Sequence, residues 1–175
     1  MELLQFDDIK NLLELSKTEA DYPSLTLLEA SSLSAIENHL RRTLKADDLV
    51  ETFPPALLDL PLKALPVNNV VSVVRDSESL TEDDDYLITP YGLAVFLVSY
   101  TKPIVVTYNG GYTTLPNDLY RALLMQTAYE WQNRDHIGAI SVSNEGGAVQ
   151  RPELGLLKEV LRILEPYKHP LTGIW

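Results

Sequence analysis

The sequence holds three histidines, His39, His136 and His169, in unrelated segments with no metal-ligand spacing between them. It has no cysteine, which removes thiol catalysis, disulfide scaffolds and cysteine-ligated zinc together. The run Glu82-Asp83-Asp84-Asp85 would attract a cation. It lacks the alternate acids, central glycine and distal glutamate of an EF-hand loop, so it reads as a solvated loop. Asn144-Glu145-Gly146-Gly147 is glycine-rich but has no Lys-Ser/Thr after it and no phosphate-loop strand before it. No Gly-x-Ser-x-Gly elbow occurs, and among 25 acids no carboxylate pair is diagnostic of acid–base work. The expectation is no catalytic residue, no metal ligand and no cofactor. The residues that stand out are suited to recognition. Leu154, Leu157, Leu161 and Leu164 make one apolar helix face, Tyr167 follows it, and the chain finishes on Ile174 and Trp175. Such a face either folds back onto its own domain or docks in a partner.

The elements that carry these residues fall into three stretches. Phe6, Ile9, Leu12 and Leu13 have helical spacing, with Asp7 and Asp8 suited to a positive first turn. Residues 18–21 read as a connector. A second helix begins at Pro23, or behind a Thr26–Glu29 capping box, and carries Leu25, Leu28, Leu33, Ile36, Leu40 and Leu44 as one stripe. The two together predict an αα-hairpin.

Pro54, Pro55, Pro61 and Pro66 then break any long helix. Val70–Val74, Tyr86–Ile88, Leu93–Val98 and Ile104–Tyr108 read as strands, the last buried on both faces because its apolar residues do not alternate. Residues 76–85 read as a polar loop or wide hairpin tip, and Asn109-Gly110-Gly111 as the sharp end of the sheet. Pro116 opens a long helix whose Leu119, Ala122, Leu123, Leu124, Met125, Ala128, Tyr129 and Trp131 cover most of its circumference, which predicts burial on more than one side. Residues 138–150 read as a flexible loop. A last helix opens at Pro152 and stops at Pro166. The expected fold is α+β but mainly α: a helical bundle with a small antiparallel sheet, one domain over 1–165 and a tail over 166–175.

With 175 residues the chain is one domain's worth, since single cores serve roughly 100–200 residues. Its 45% apolar and 22% charged composition excludes wholly disordered, collagen-like and coiled-coil chains. No window approaches the roughly 18 apolar residues of a membrane helix, so no membrane partner is expected. The acids in Met1–Asp8 are unlike a secretory leader, which predicts synthesis in the cytoplasm. The formal charge is −11, and the first sixty residues hold 12 acids against 5 bases. Such a surface repels phosphate backbones, so sequence-specific nucleic-acid binding is not expected.

One ordered pattern spans the chain. A helical hairpin leads to Pro66-Val67 and Val70-Val71-Ser72-Val73-Val74, then to Asp85-Tyr86-Leu87-Ile88. Pro103-Ile104-Val105-Val106-Thr107-Tyr108-Asn109-Gly110-Gly111-Tyr112 follows, then Leu115-Pro116-Asn117-Asp118, the helix ending Asn133-Arg134, and the close Leu164-Glu165-Pro166-Tyr167-Lys168. Over roughly residues 5–168 this resembles the head–tail connector (adaptor) family of tailed bacteriophages. The Pro-rich stretch 53–65 is longer than the family pattern, and the residues after Lys168 are extra.

The resemblance implies a non-enzymatic virion protein at the head–tail junction. It would form a homo-oligomeric ring, normally twelvefold, under the portal protein, meet a downstream stopper or tail terminator, and line part of the channel through which DNA passes. It also implies the portal or an adjacent subunit as the partner for Leu154, Leu157, Leu161, Leu164, Tyr167, Ile174 and Trp175. The alternatives are a tail-completion or stopper protein of the neck and, from another class, a small hydrolase built on an acidic pair.

Overall fold

The structure, a computed structural model, describes residues 3–16, 22–55, 57–96, 101–134, 143–144, 147–148 and 155–168. These fall into two compact units: a helical unit within residues 1–40 and 116–167, and a β unit that takes in residues 41–115.

In the helical unit, α1 (Phe6–Leu12), α2 (Pro23–Leu40) and α4 (Lys158–Leu164) all pack on α3 (Asn117–Asn133). That shared role explains why α3 is apolar over so much of its girth. Leu119, Ala122, Leu123 and Ala128 are buried along it together with Gln126 and Thr127. α2 buries Leu25, Glu29, Ser32, Ile36 and Leu40, at spacings of three and four that form one stripe. α2 opens at Pro23, so Thr26 lies inside the helix and not at its cap; Glu29 Oε1 accepts the N–H of Leu4 at 3.1 Å, and a ring contact between Phe6 and Tyr22 ties the same segments. α2 was expected to run to Leu44. It stops at Leu40 because Arg41 adopts φ +55°, outside the helical region, and Leu44 is buried in the β unit instead.

The β unit holds seven strands: β1 (Asp47–Phe53), β2 (Asp59–Pro61), β3 (Val67–Arg75), β4 (Glu78–Ser79), β5 (Tyr86–Thr89), β6 (Gly92–Val95) and β7 (Ile104–Gly110). They form two antiparallel sheets, ordered β1-β7-β3-β4 and β2-β6-β5. The expectation of a mainly helical bundle with one small sheet is therefore wrong; the fold is α+β with two substantial sheets. The reason lies in residues 41–61 and 76–85. Asp47–Phe53 supplies an edge strand, and Asp59–Pro61 a short strand beside β6 that leaves its prolines at or beyond strand ends. Arg75 to Glu78 turns tightly, with φ +47° at Asp76 and +71° at Ser77, so that β4 folds back on β3.

Both sheets turn one side into a single core of Phe53, Leu60, Leu62, Val73, Tyr86, Leu93, Val95, Ile104, Val106 and Tyr108. On β7 alternate residues, Ile104, Val106, Tyr108 and Gly110, are buried. Val105 and Thr107 are half-exposed, so the central strand is flanked on both edges but fully covered on one face. β7 also runs through Asn109 and Gly110 before turning. A Cβ on Gly110 would lie 2.4 Å from the Ala64 carbonyl oxygen, and one on Gly111 2.6 Å from that of Lys45, where φ is +99°.

Within the segment read as a loop, Ser143–Asn144 (β8) pairs with Gly147–Ala148 (β9). No described helix is long and apolar enough to cross a membrane.

Candidate functional site

The described part of the apolar C-terminal face sits on α4, and two polar side chains of α3 fix where it lies. Gln126, buried near the middle of α3, donates through Nε2 to the Gly155 carbonyl at 3.2 Å and accepts the Leu157 N–H at 3.1 Å through Oε1. Leu157 is the residue that caps the start of α4, in an extended conformation of φ −58° and ψ 144°. The last residue of the following 3₁₀ turn (Glu165–Tyr167), Tyr167, donates its hydroxyl to Asp118 Oδ2 at 2.6 Å. Asp118 lies in the first turn of α3, so α4 runs antiparallel to α3 and is held at both ends. A buried glutamine with both amide atoms satisfied positions more sharply than apolar contact alone.

This clamp decides which side of α4 looks outward. Val160 and Leu164 are wholly buried, Leu164 at 0% exposure, so Leu164 anchors the helix within its own unit. Leu157 and Leu161, one turn apart, are half-exposed, as is Tyr167. Exposed Arg162 pairs with Glu159 at 2.6 Å beside them. Of the residues singled out in the sequence, Leu157, Leu161, Leu164 and Tyr167 are thus placed on one short element. Leu154, Ile174 and Trp175 lie outside the described residues. The helix itself opens at Lys158, not Pro152. Gln126 carried no sequence signal, being a polar residue on a helix noticed for its apolar ones, and Asp118 belongs to the Leu115–Asp118 stretch of the resemblance with nothing there to mark it as the partner of Tyr167.

The same end of α3 is tied to α1 by a second tyrosine. The Tyr120 hydroxyl donates to the Asp8 carboxylate and accepts the Gln5 N–H at 3.1 Å. Burial and that carboxylate raise its pKa above the usual tyrosine value. Near the far end, Trp131 meets Tyr22 edge-on at 5.6 Å, and the Arg134 guanidinium lies 4.0 Å over its ring.

Among the described residues no group of three or more His, Cys, Asp or Glu converges as a metal site would require. The acidic stretch folds on itself: Asp85 Oδ2 accepts the Thr81 N–H at 2.8 Å, and the Asp83 N–H donates to the Tyr86 carbonyl at 2.9 Å. What the described residues offer is packing surface.

The family model for the head completion protein matches residues 2–169. Three solved structures share the fold. One is from the neck of an empty GTA particle computed with C6 symmetry, at 16% identity and a TM-score of 0.58, covering 95% of this chain and 89% of that one. Another is from the virion of a native gene transfer agent (GTA) particle, at 15% identity and a TM-score of 0.63, with 95% and 89% covered. The third is from the neck of a native GTA particle computed with C12 symmetry, at 14% identity and a TM-score of 0.59, with 95% and 88% covered. A search of curated proteins finds no match.

Proposed function

The chain belongs to the head completion protein family and is a structural protein of the head–tail neck of a phage-like particle; on that premise we propose that it is the connector whose copies close a ring beneath the portal. What carries the reading is extent: the family match and the fold match to neck and virion chains each span nearly the whole molecule. The C6 and C12 symmetries of those necks support a closed ring of identical subunits, for which twelve is the number proposed here.

In this reading the portal protein lies above the ring and a stopper or tail terminator below it. DNA passes through without sequence-specific contact, and a net charge of −11 keeps the wall from adhering to phosphates. The role is mechanical, with no reaction and no cofactor. Residues 1–165 act as the connector body and 166–175 as its tail. The half-exposed Leu157, Leu161 and Tyr167 dock on the portal or an adjacent subunit together with Leu154, Ile174 and Trp175, while Leu164 holds the helix in place.

Imaging of necks from purified particles tests this, with the chain carrying a small density label. One ring of this chain against the portal is expected. A ring one layer lower assigns it the stopper's place, and label confined to the capsid shell or tail tube refutes the reading.

A further inference from the structure

The two sheets of the β unit share one core, so their outer faces look in opposite directions, and each carries large apolar residues exposed to solvent. On the four-stranded sheet, alternation turns Val50 and Thr52 of β1, Val105 and Thr107 of β7, and Ser72 and Val74 of β3 outward. A bulge between Val70 and Ser72 adds Val71 to this face. Val50 is 66% exposed and Val71 64%. One end of the face is closed by a polar chain: Asn68 donates to Asn109 at 3.0 Å, and Asn109 to Asp48 at 2.7 Å. On the three-stranded sheet, Leu87 of β5 lies outward beside Ala94 of β6, followed by exposed Phe96, whose N–H continues the ladder to Asp85.

Resting on the ring reading above, we propose that these are the two halves of the subunit interface, the Leu87–Phe96 face of one copy packing on the Val50–Val71 face of the next. A ring of more than two subunits needs two different, non-self-complementary faces, and a dimer needs only one. Opposite sides of one rigid two-layer unit supply such a pair. Charge selects the occupant. Copies of a chain at −11 repel wherever acids meet, yet the outward strand positions named here bear few acids: Asp48 on one face, already hydrogen-bonded to Asn109, and on the other Asp59 of β2 and Asp85 opposite Phe96, whose carboxylate already accepts the Thr81 N–H. An apolar centre with a satisfied polar rim is the anatomy of a protein interface, and neither face has a basic residue at those positions to hold DNA.

The chain has no cysteine of its own, so any thiol through which it is cross-linked is an introduced one. Particles are assembled with Val71→Cys, Leu87→Cys or both, and treated with a flexible bis-maleimide. The double variant is expected to give a ladder of covalent multimers, and a mixture of the two single variants dimers only. Each single variant alone gives no dimer. Val50→Cys with Phe96→Cys repeats the test should the first pair fail to enter particles. Self-dimers of a single variant show a like-to-like contact and overturn the proposal. So do cross-links solely to another protein, or no cross-link in particles that contain the chain. Particles lacking the chain altogether overturn the neck reading itself, an outcome distinguishable by its absence from the particle.

Discussion

Replacing Tyr108 by Phe removes one oxygen from the best-connected point of the β unit. Tyr108 has 0% exposure, and its hydroxyl donates to Glu51 Oε1 at 2.5 Å while accepting the Ala64 N–H at 3.0 Å. The same Glu51 oxygen takes the Lys63 N–H at 2.9 Å, so one tyrosine fastens β1, β7 and the segment leading into β3. The ring's shape is kept in Phe, so no large cavity opens. The loss is a hydrogen bond to a carboxylate, worth about 1.5–3 kcal/mol, together with a stranded Ala64 N–H at a buried position, and these overlap to about 2–3 kcal/mol. At 1.4 kcal/mol per tenfold that is roughly a 30- to 150-fold increase in opening. Amide hydrogen exchange across Ile104–Gly110 reads it locally, which matters in a chain with two units. The tyrosine has a pH signature as well. Burial first, and the bond to Glu51 second, push its pKa far above the usual value near 10. Above about pH 10 the unfolded chain loses its phenolic proton while the folded one keeps it. The contribution of this group is therefore complete below pH 10 and falls as pH rises beyond it, by up to about 1.4 kcal/mol per pH unit. Tyr86 and Tyr120 are raised too, so Tyr108→Phe should lessen the alkaline slope without abolishing it. A cost below about 0.5 kcal/mol with an unchanged alkaline slope would refute the clamp.

Gln126→Leu keeps bulk but frees the Gly155 carbonyl and the Leu157 N–H, so it should cost about 1–3 kcal/mol and loosen α4 first, seen as faster exchange at Val160–Leu164 than at Leu119–Leu123. Equal acceleration in both segments would mean the glutamine stabilises the whole helical unit rather than placing α4. Deleting Leu171–Trp175 should leave the Tm of the isolated chain nearly unchanged and weaken its attachment to portal-bearing heads. Full-strength attachment of the truncated chain would remove the tail from the docking surface.

The strands with β-branched runs were legible in the sequence because their burial is written locally: Val70–Val74, Tyr86–Ile88 and Ile104–Tyr108 each fall within an observed strand. Asp47–Phe53 was not. Its outward side, Asp48, Val50 and Thr52, is short and mixed, and Asp47 and Glu51 interrupt the apolar residues of the other side, while Leu44 completed a leucine stripe and drew that end of the sequence towards α2. What ended the helix was the backbone of Arg41, which no residue type announces. The division into two sheets depends on long-range pairings, β1 with β7 and β2 with β6, that no local pattern specifies. The clamp around α4 was hidden for another reason. Counting apolar positions on α3 passes over Gln126 and Asp118, whose value appears only once the Leu157 N–H and the Tyr167 hydroxyl arrive beside them.

Residues 41–115 leave α2 and return to α3 with their two ends side by side. Lys45 pairs in parallel with Tyr112, the Ala46 N–H donates to the Tyr112 carbonyl at 3.0 Å, and the Tyr112 N–H donates to that of Leu44 at 2.6 Å. To the helical unit the whole β unit is one long loop, and closing an unstructured loop costs about 0.6 kcal/mol more for each doubling of its length. Once the insert has folded, its ends are already together, and only a few residues on either side remain to be closed. The pairing of α2 with α3, remote along the chain, then has the entropy of a neighbouring contact. Exchanging the insert for another module with adjacent ends would leave the helical register as it is.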